Sequence, residues 1–274
     1  MPDDLIYDVG QHRGEDTAYY LAKGFRVVAF EANPDLVEAC ARRFSREIDD
    51  GRLTIESGAI APPDAGEAVT FYRNEMTVWG TTSPDWQERN QKLGRQSGAI
   101  TLPRLDFAEA LRRHQAPYFL KIDVEGADHH ILDVIASSGV TPEHISIESE
   151  KVDFDVLVEE VDRLVSLGYR RFRAVQQANV VGRRLPVRTL GGGTVVHRFE
   201  RHGSGPFGDD LDQPWLSRDA VIEDYRRIFR LYRLFGDKSF LRNLPVIGQF
   251  VRLGSHFRPY PLPGWYDTHA WRGA

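Results

Sequence analysis

The chain has 274 residues, 41% of them hydrophobic, with 35 Lys and Arg against 40 Asp and Glu for a net charge of -5. That length and apolar fraction allow one large domain with additions, or two small ones, around a buried core. The single cysteine, Cys40, excludes a disulfide framework, and no segment approaches the uninterrupted apolar length of a membrane-spanning helix. Cys40 sits among Ala39, Ala41 and Phe44 and reads as a packing residue in a reducing compartment. The start, Met1-Pro2-Asp3-Asp4, lacks the basic and apolar regions of a signal peptide, so a cytoplasmic location is expected. Charge is unevenly spread: residues 1–150 carry 15 Lys and Arg against 26 Asp and Glu, and residues 151–274 carry 20 against 14. A basic second half invites an anionic partner, and a solvated face explains it equally well.

Strand one is expected over Leu5 to Val9. Gly10-Gln11-His12-Arg13-Gly14 then makes a turn into a helix over Glu15 to Lys23, stopped by Gly24. Gly10 suits backbone angles closed to other residues, and Gly14 suits close packing of helix and strand. A dinucleotide fingerprint needs a glycine where His12 stands, because its backbone must approach a pyrophosphate. S-adenosylmethionine, an adenosine cofactor without phosphates, makes no such demand. Asp8 at the strand end can face its charged amino-acid side. Arg26 to Phe30 is strand two and ends in Glu31, roughly twenty residues past the first glycine, where an acid can accept hydrogen bonds from both ribose hydroxyls.

Asn33-Pro34-Asp35 opens the next helix, with Leu36, Val37, Cys40 and Phe44 as its apolar stripe. Leu53 to Ile55 is strand three and runs into the small-residue turn Ser57-Gly58-Ala59-Ile60, a place for adenine. Ala68 to Tyr72, after the turn Pro62-Pro63-Asp64-Ala65-Gly66, is expected to form a hairpin with the stretch before it. The insert from Arg73 to Gly98 contains Trp79 and Trp86, as a lid, a substrate wall or an anchor to the core. Asp106 to His114 is a helix. Tyr118 to Ile122 is the fourth parallel strand, ending in Asp123-Val124-Glu125-Gly126. In open α/β sheets ligands bind beyond the carboxyl ends of the strands, so Asp123 and Glu125 are expected on the rim that carries Asp8 and Glu31. Asp123 can hold the cofactor's ammonium or orient an attacking hydroxyl. His129 and His130, at the start of the next helix, are candidate general bases.

Ile145 to Ile147 is strand five, with Glu148 and Glu150 at its tip. Asp123, Glu148 and Glu150 can alternatively hold a divalent cation, although no metal is required by the reading. A helix over Asp153 to Leu167 leads to a strand over Tyr169 to Val175, and Thr194 to Phe199 is expected to complete an antiparallel pair across Gly182-Arg183-Arg184. The alternation predicts an α/β fold with a mainly parallel sheet covered by helices. Beyond it, Gly203 to Asp210 reads as a flexible loop able to close over the site. Val221 to Phe235 reads as an amphipathic helix with Arg226, Arg227, Arg230 and Arg233 on its basic face. Such a helix can meet a membrane surface, a nucleic acid or an acidic substrate, and docking on the acidic first domain or a homodimer contact explains it as well. Pro263 to His269 is aromatic enough to pack.

Asp8-Val9-Gly10 with Gly14 and Thr17, Glu31-Ala32-Asn33-Pro34, and Lys121-Ile122-Asp123-Val124-Glu125-Gly126 together resemble the FkbM family of S-adenosylmethionine-dependent methyltransferases. The resemblance covers roughly residues 5–200. It implies a Rossmann-like methyltransferase fold, a seven-stranded sheet with helices on both faces and its last strand antiparallel, and O-methylation of sugar or natural-product-like hydroxyls. Carried over, Asp8, Gly10, Gly14 and Thr17 line the methionine end, Glu31 binds ribose, and Asp123 stands where methyl transfer occurs; Asn33, beside Glu31, and Gly58 and Ala59, in the small-residue turn, are further cofactor-binding candidates. Proton removal falls to Asp123 first, then His129, His130 and Glu148. On this reading residues 1–200 are the cofactor-binding domain and residues 201–274 a C-terminal extension, with a small-molecule hydroxyl acceptor and no nucleic acid. The rivals are an NAD-linked oxidoreductase, disfavoured by His12, and a non-enzymatic nucleotide- or polyanion-binding module using the basic tail.

Overall fold

A computed structural model describes residues 3–74, 81, 97–124, 126–150, 152–235 and 265–273. In chain order its elements are β1 (Leu5–Val9), α1 (Glu15–Ala22), β2 (Arg26–Glu31), α2 (Pro34–Arg43), α3 (Ser45–Asp49), β3 (Leu53–Ser57), β4 (Ala59–Ile60), β5 (Ala68–Asn74) and β6 (Ser97–Leu105). There follow α4 (Phe107–His114), β7 (Phe119–Ile122), α5 (Asp128–Ser138), β8 (His144–Glu148), α6 (Phe154–Ser166), β9 (Arg171–Gln176), β10 (Arg184–Arg188), β11 (Thr194–Arg198), α7 (Arg218–Phe235) and β12 (Tyr266–Trp271). Seven strands form one sheet in the order β3-β2-β1-β7-β8-β12-β9. The pairs β1 with β2, β1 with β7 and β2 with β3 are parallel, and β12 with β9 is antiparallel.

The chain divides into two compact units, Met1–Ile145 with Leu185–His197, and Ser146–Arg184 with Arg198–Ala274. In the first, β1 is buried along its whole length, as the near-continuous apolar run Leu5-Ile6-Tyr7 requires of a central parallel strand. Tyr7 packs its ring against Phe30 and Phe107 at centroid distances of 5.3 and 6.1 Å, and Tyr20 meets Phe119 edge-on at 5.8 Å. Each such fully buried aromatic contributes about 1.5–3 kcal/mol. Helix α2 starts where Asn33 accepts a hydrogen bond from the Asp35 N–H, with Pro34 in its first turn. Helix α4 is capped the same way by Asp106, which accepts from the Glu109 N–H.

The expected hairpin at Ala68 to Tyr72 has a different partner. β5 pairs antiparallel with β6, which lies beyond the insert, and β6 pairs parallel with β4. The stretch Pro63–Ala65 before it is a 3-10 turn. Ala59, Ala61, Val69, Phe71 and Leu102 supply the buried apolar face of this small sheet, with Ala32 and Ile100 packed against it. Most of the insert, including Trp79 and Trp86, lies outside the described residues, as does Glu125.

Thr194 to Phe199 also pairs differently from expectation. β11 forms a two-stranded sheet with β10, and the antiparallel partner of β9 is β12, from the far end of the chain. The physical reason lies in burial: β11 alternates exposed and half-buried residues, whereas Asp267, Thr268, His269 and Ala270 of β12 are all buried.

In the second unit, the apolar stripe of α7 packs on α6 and β9. Val221, Ile222, Tyr225, Ile228 and Phe229 are buried, Phe229 meets Phe154 edge-on at 5.2 Å, and Arg218 makes a two-pronged contact with Asp162. Arg226, Arg227, Arg230 and Arg233 lie on the exposed side. Of Gly203 to Asp210, expected to be a flexible loop, residues 203–208 are buried, Asp210 is half-buried and Asp209 is exposed. Arg173 donates from Nη1 to the Gly208 carbonyl at 2.7 Å, and Gly205 lies so close to Val180 that a Cβ would come within 2.8 Å of it.

Candidate active site

The turn after β1 is built on two glycines with left-handed backbone angles. Gly10 has φ +87, and a Cβ on it would stand 2.0 Å from the Asp123 carbonyl oxygen. Gly14 has φ +79 and begins α1; its missing Cβ makes room for the Phe44 ring, so the close packing expected there is against residues at the end of α2. Between them His12 also takes a positive φ, 53. Its N–H donates to Glu31 Oε2 at 2.8 Å, its carbonyl accepts from Cys40 Sγ at 3.3 Å, and its Nδ1 lies 3.1 Å from Glu15 Oε1.

Glu31 is thereby held at both ends. Its other oxygen accepts the Asn33 N–H at 2.7 Å. Burial pushes its carboxyl above the usual range, while the two backbone donors pull the other way. Asn33 is buried and serves as the cap of α2. Gly58, with φ +147, donates its N–H to the Glu31 carbonyl and lies against the Pro103 carbonyl, while Ala59 is buried in the small sheet beside it.

Asp8 and Lys121 are paired residues of β1 and β7, so opposite charges meet inside two apolar strands. Both are buried. Lys121 Nζ donates to Asp8 Oδ1 at 3.2 Å and to the Gly10 carbonyl at 3.3 Å; it also lies 3.2 Å from Asp16 Oδ2 and 3.5 Å from Asp123 Oδ2. Thr17 donates to the second Asp8 oxygen at 2.6 Å. Asp8 therefore holds Lys121 and Thr17 in place from within the core. Burial raises its carboxyl to about 6, against the pull of Lys121. For Lys121, burial disfavours the charge, and Asp8, Asp16 and Asp123 outweigh it, holding the ammonium well above the ordinary lysine range. Lys121 and Asp16 emerge as candidates only in the structure; the signal in the sequence is a lysine inside Phe119-Leu120-Lys121-Ile122, since a charge in a buried strand needs a partner.

Asp123 differs from its neighbours in being reachable: its side chain is 34% exposed while that of Lys121 is 4%. Its N–H donates to the Val9 carbonyl at 2.9 Å, fixing the strand tip beside Gly10. His129 and His130 fall in the first turn of α5, one exposed and one half-buried. Glu148 ends β8 and is half-buried; it belongs to the second unit. Among the described residues no group of three or more His, Cys, Asp or Glu side chains is arranged to hold a metal ion.

The FkbM methyltransferase domain model matches residues 8–171, which span β1 through the start of β9. The chain belongs to the FkbM methyltransferase family. Its sheet is the Rossmann-like methyltransferase arrangement, and the family is one of S-adenosylmethionine-dependent enzymes. Among solved structures it is similar to the FkbM methyltransferase of Methylobacillus flagellatus, at 20% identity and TM-score 0.38, over 59% of this chain and 37% of that one. It is also similar to a precorrin-6y C5,15-methyltransferase from Geobacter metallireducens, at 15% identity and TM-score 0.37, over 72% and 75% of the two chains. An O-methyltransferase from Bacillus cereus, in complex with S-adenosylhomocysteine, matches at 14% identity and TM-score 0.33, over 69% and 70%. No curated protein matches the sequence. Among the described residues of this FkbM domain protein, no helix is long and apolar enough to cross a membrane.

The residues present fit such a cofactor. Gln11, 2% exposed, donates from Nε2 to Thr17 and leaves Oε1 as a buried acceptor without a partner at the turn. Three carboxylates, Asp8, Asp16 and Asp123, converge on Lys121 at the ends of β1 and β7, a concentration of acidic groups that suits a sulfonium and an ammonium.

Proposed function

We propose that this protein is an O-methyltransferase acting on a hydroxyl of a sugar or natural-product-like small molecule. The observation that carries the proposal is Asp123, a partly exposed carboxylate held from below by Lys121 and fixed beside Gly10. A carboxylate so anchored can take the proton of an incoming hydroxyl as its oxygen attacks. S-Adenosylmethionine supplies an electrophilic methyl group on sulfur. Much of the acceleration comes from holding hydroxyl and methyl in line, worth about 7–11 kcal/mol.

In this reading the Gly10 and Gly14 turn, with Asp8 and Thr17 beneath it, shapes the methionine end, and Gln11 Oε1 is an acceptor for the ammonium. Glu31 takes the ribose hydroxyls on the lone pairs its backbone donors leave open. Asn33 keeps the neighbouring helix end in place, and Gly58 and Ala59 border the adenine. His129 and His130 are the further candidates for proton transfer. Residues 1–200, with β12 from residues 201–274 supplying a strand of the sheet, form the catalytic domain of a cytoplasmic enzyme, and the rest of residues 201–274 is its extension and a homodimer contact.

The test is transfer of labelled methyl from S-adenosylmethionine to a panel of sugar and polyketide-type alcohols, by wild type and Asp123→Asn. Label on oxygen, lost in the variant, is expected. Label on nitrogen or carbon, or protection from heat by NAD and not by S-adenosylmethionine, overturns the proposal.

A further inference from the structure

An ammonium has three N–H donors, and Lys121 has four acceptors within 3.5 Å: Asp8, Asp16, the Gly10 carbonyl and Asp123. Two of these belong to the interior and two to the rim. Asp8 and Asp16 are buried and compensate the charge; Gly10 and Asp123 form the strand tip on which the active-site reading depends. A buried lysine among apolar strand residues gives no stability that a well-packed methionine would not also give. What methionine lacks is the reach from the fixed acids to the exposed one.

We propose that Lys121 is a positioning residue of the cofactor site, transmitting the rigidity of the buried Asp8 and Asp16 to the Asp123 carboxylate and the Gly10 carbonyl. The inference rests on the proposed function and adds to it that the Asp123 carboxylate, besides taking the hydroxyl proton, meets the positively charged end of the cofactor. Without the ammonium, Asp123 is free to turn on its side-chain torsions and the Gly10 carbonyl loses a donor, so the site is no longer preformed. Asp123 then contributes nothing to binding, whether or not it is present.

This coupling is measurable without knowing the acceptor. S-Adenosylmethionine is titrated calorimetrically into four backgrounds, each with and without Asp123→Asn: wild type, Asp8→Asn, Lys121→Met with Asp8→Asn, and Lys121→Gln. The methionine pair replaces a buried ion pair by neutral groups, and Lys121→Gln serves if that variant does not fold. In wild type and in Asp8→Asn, where Lys121 still has Asp16 and Asp123, removing the Asp123 charge is expected to weaken binding about tenfold. In either Lys121 background binding is expected to be about tenfold weaker already, with no further loss from Asp123→Asn. A purely structural lysine leaves the Asp123 effect intact in every folded background, and that result overturns the proposal. Absence of binding to wild type overturns the active-site reading and this inference together, whereas an Asp123 effect that persists beside Lys121→Met or Lys121→Gln removes the inference alone.

Discussion

Gly10 and Asp123 face each other across the tips of β1 and β7 so closely that an added Cβ on Gly10 would lie 2.0 Å from the Asp123 carbonyl oxygen. Relief requires one strand tip to move, and both tips belong to the proposed site. Gly10→Ala is expected to destabilise the protein by about 2–4 kcal/mol, from the positive φ and the clash together, and to abolish cofactor binding. Gly51, at φ +69 with nothing within 4 Å, separates the two causes. Gly51→Ala should cost only the backbone contribution, about 1 kcal/mol. Urea midpoints of the two variants provide the check; equal costs would show that the Asp123 contact does not constrain Gly10.

Carboxyls raised by burial make stability fall with increasing pH. Glu160, which accepts the Glu150 N–H at 3.1 Å, is pushed up to about 7 by burial and then by the charges of Glu150 and Glu148. The folded state keeps a proton there that the unfolded chain has lost. Its contribution is complete below the ordinary value of 4.5 and is lost as pH rises through about 7. Glu160→Gln, a permanently neutral isostere, should match wild type at pH about 4 and be more stable by on the order of 1–3 kcal/mol at pH about 8. Thermal melts at both values test this; a variant less stable at the higher pH would contradict it. Asp8, raised to about 6, acts in the same direction in the window below.

Ser149, Tyr225 and Thr268 close a ring of three buried hydroxyls, with oxygens 2.6, 2.7 and 2.9 Å apart. Each can donate to the next, so none is left unsatisfied and β12, α7 and the end of β8 are tied together. Tyr225→Phe should cost about 1–2 kcal/mol, because Ser149 and Thr268 retain each other. Denaturant unfolding measures it, and an unchanged midpoint would mean the ring adds nothing.

Cys40 is buried, and burial pushes its thiol up to about 12, with Glu31 adding to the effect. Native protein at pH about 8 should therefore resist iodoacetamide and react only on unfolding, since the thiolate is the reactive form. Rapid labelling of folded protein would contradict this placement.

The strands whose tips form the proposed site are legible in the sequence because parallel strands buried on both faces leave continuous apolar runs, as in Leu5-Ile6-Tyr7 and Phe119-Leu120. Gly10, Gly14 and Glu31 were legible for a related reason: a turn and a strand tip impose requirements on one residue each. β12 was not. Its sequence Tyr-Asp-Thr-His-Ala-Trp places polar groups at buried positions, and they are satisfied by distant partners: Thr268 by Ser149 and Tyr225, Asp267 by Gln177. No local pattern encodes a strand whose partner lies about ninety residues away. The same holds for β5, whose partner follows the insert, and for residues 203–208, whose Gly-Ser-Gly-Pro composition suggests mobility until the Arg173 guanidinium is seen holding the Gly208 carbonyl. Asp8 and Lys121 lie between these cases: each is an isolated charge in an apolar strand, and their register makes them partners.

The tips of β1, β2 and β7 are proposed to hold S-adenosylmethionine, with Glu31 on its ribose. Calorimetric titration of S-adenosylmethionine into wild type and into Glu31→Ala tests it most directly. Saturable binding to wild type that collapses in the variant, with both proteins folded, is the expected result. Binding of equal strength to the two proteins would remove Glu31 from the site, and no binding to folded wild type would contradict the claim itself.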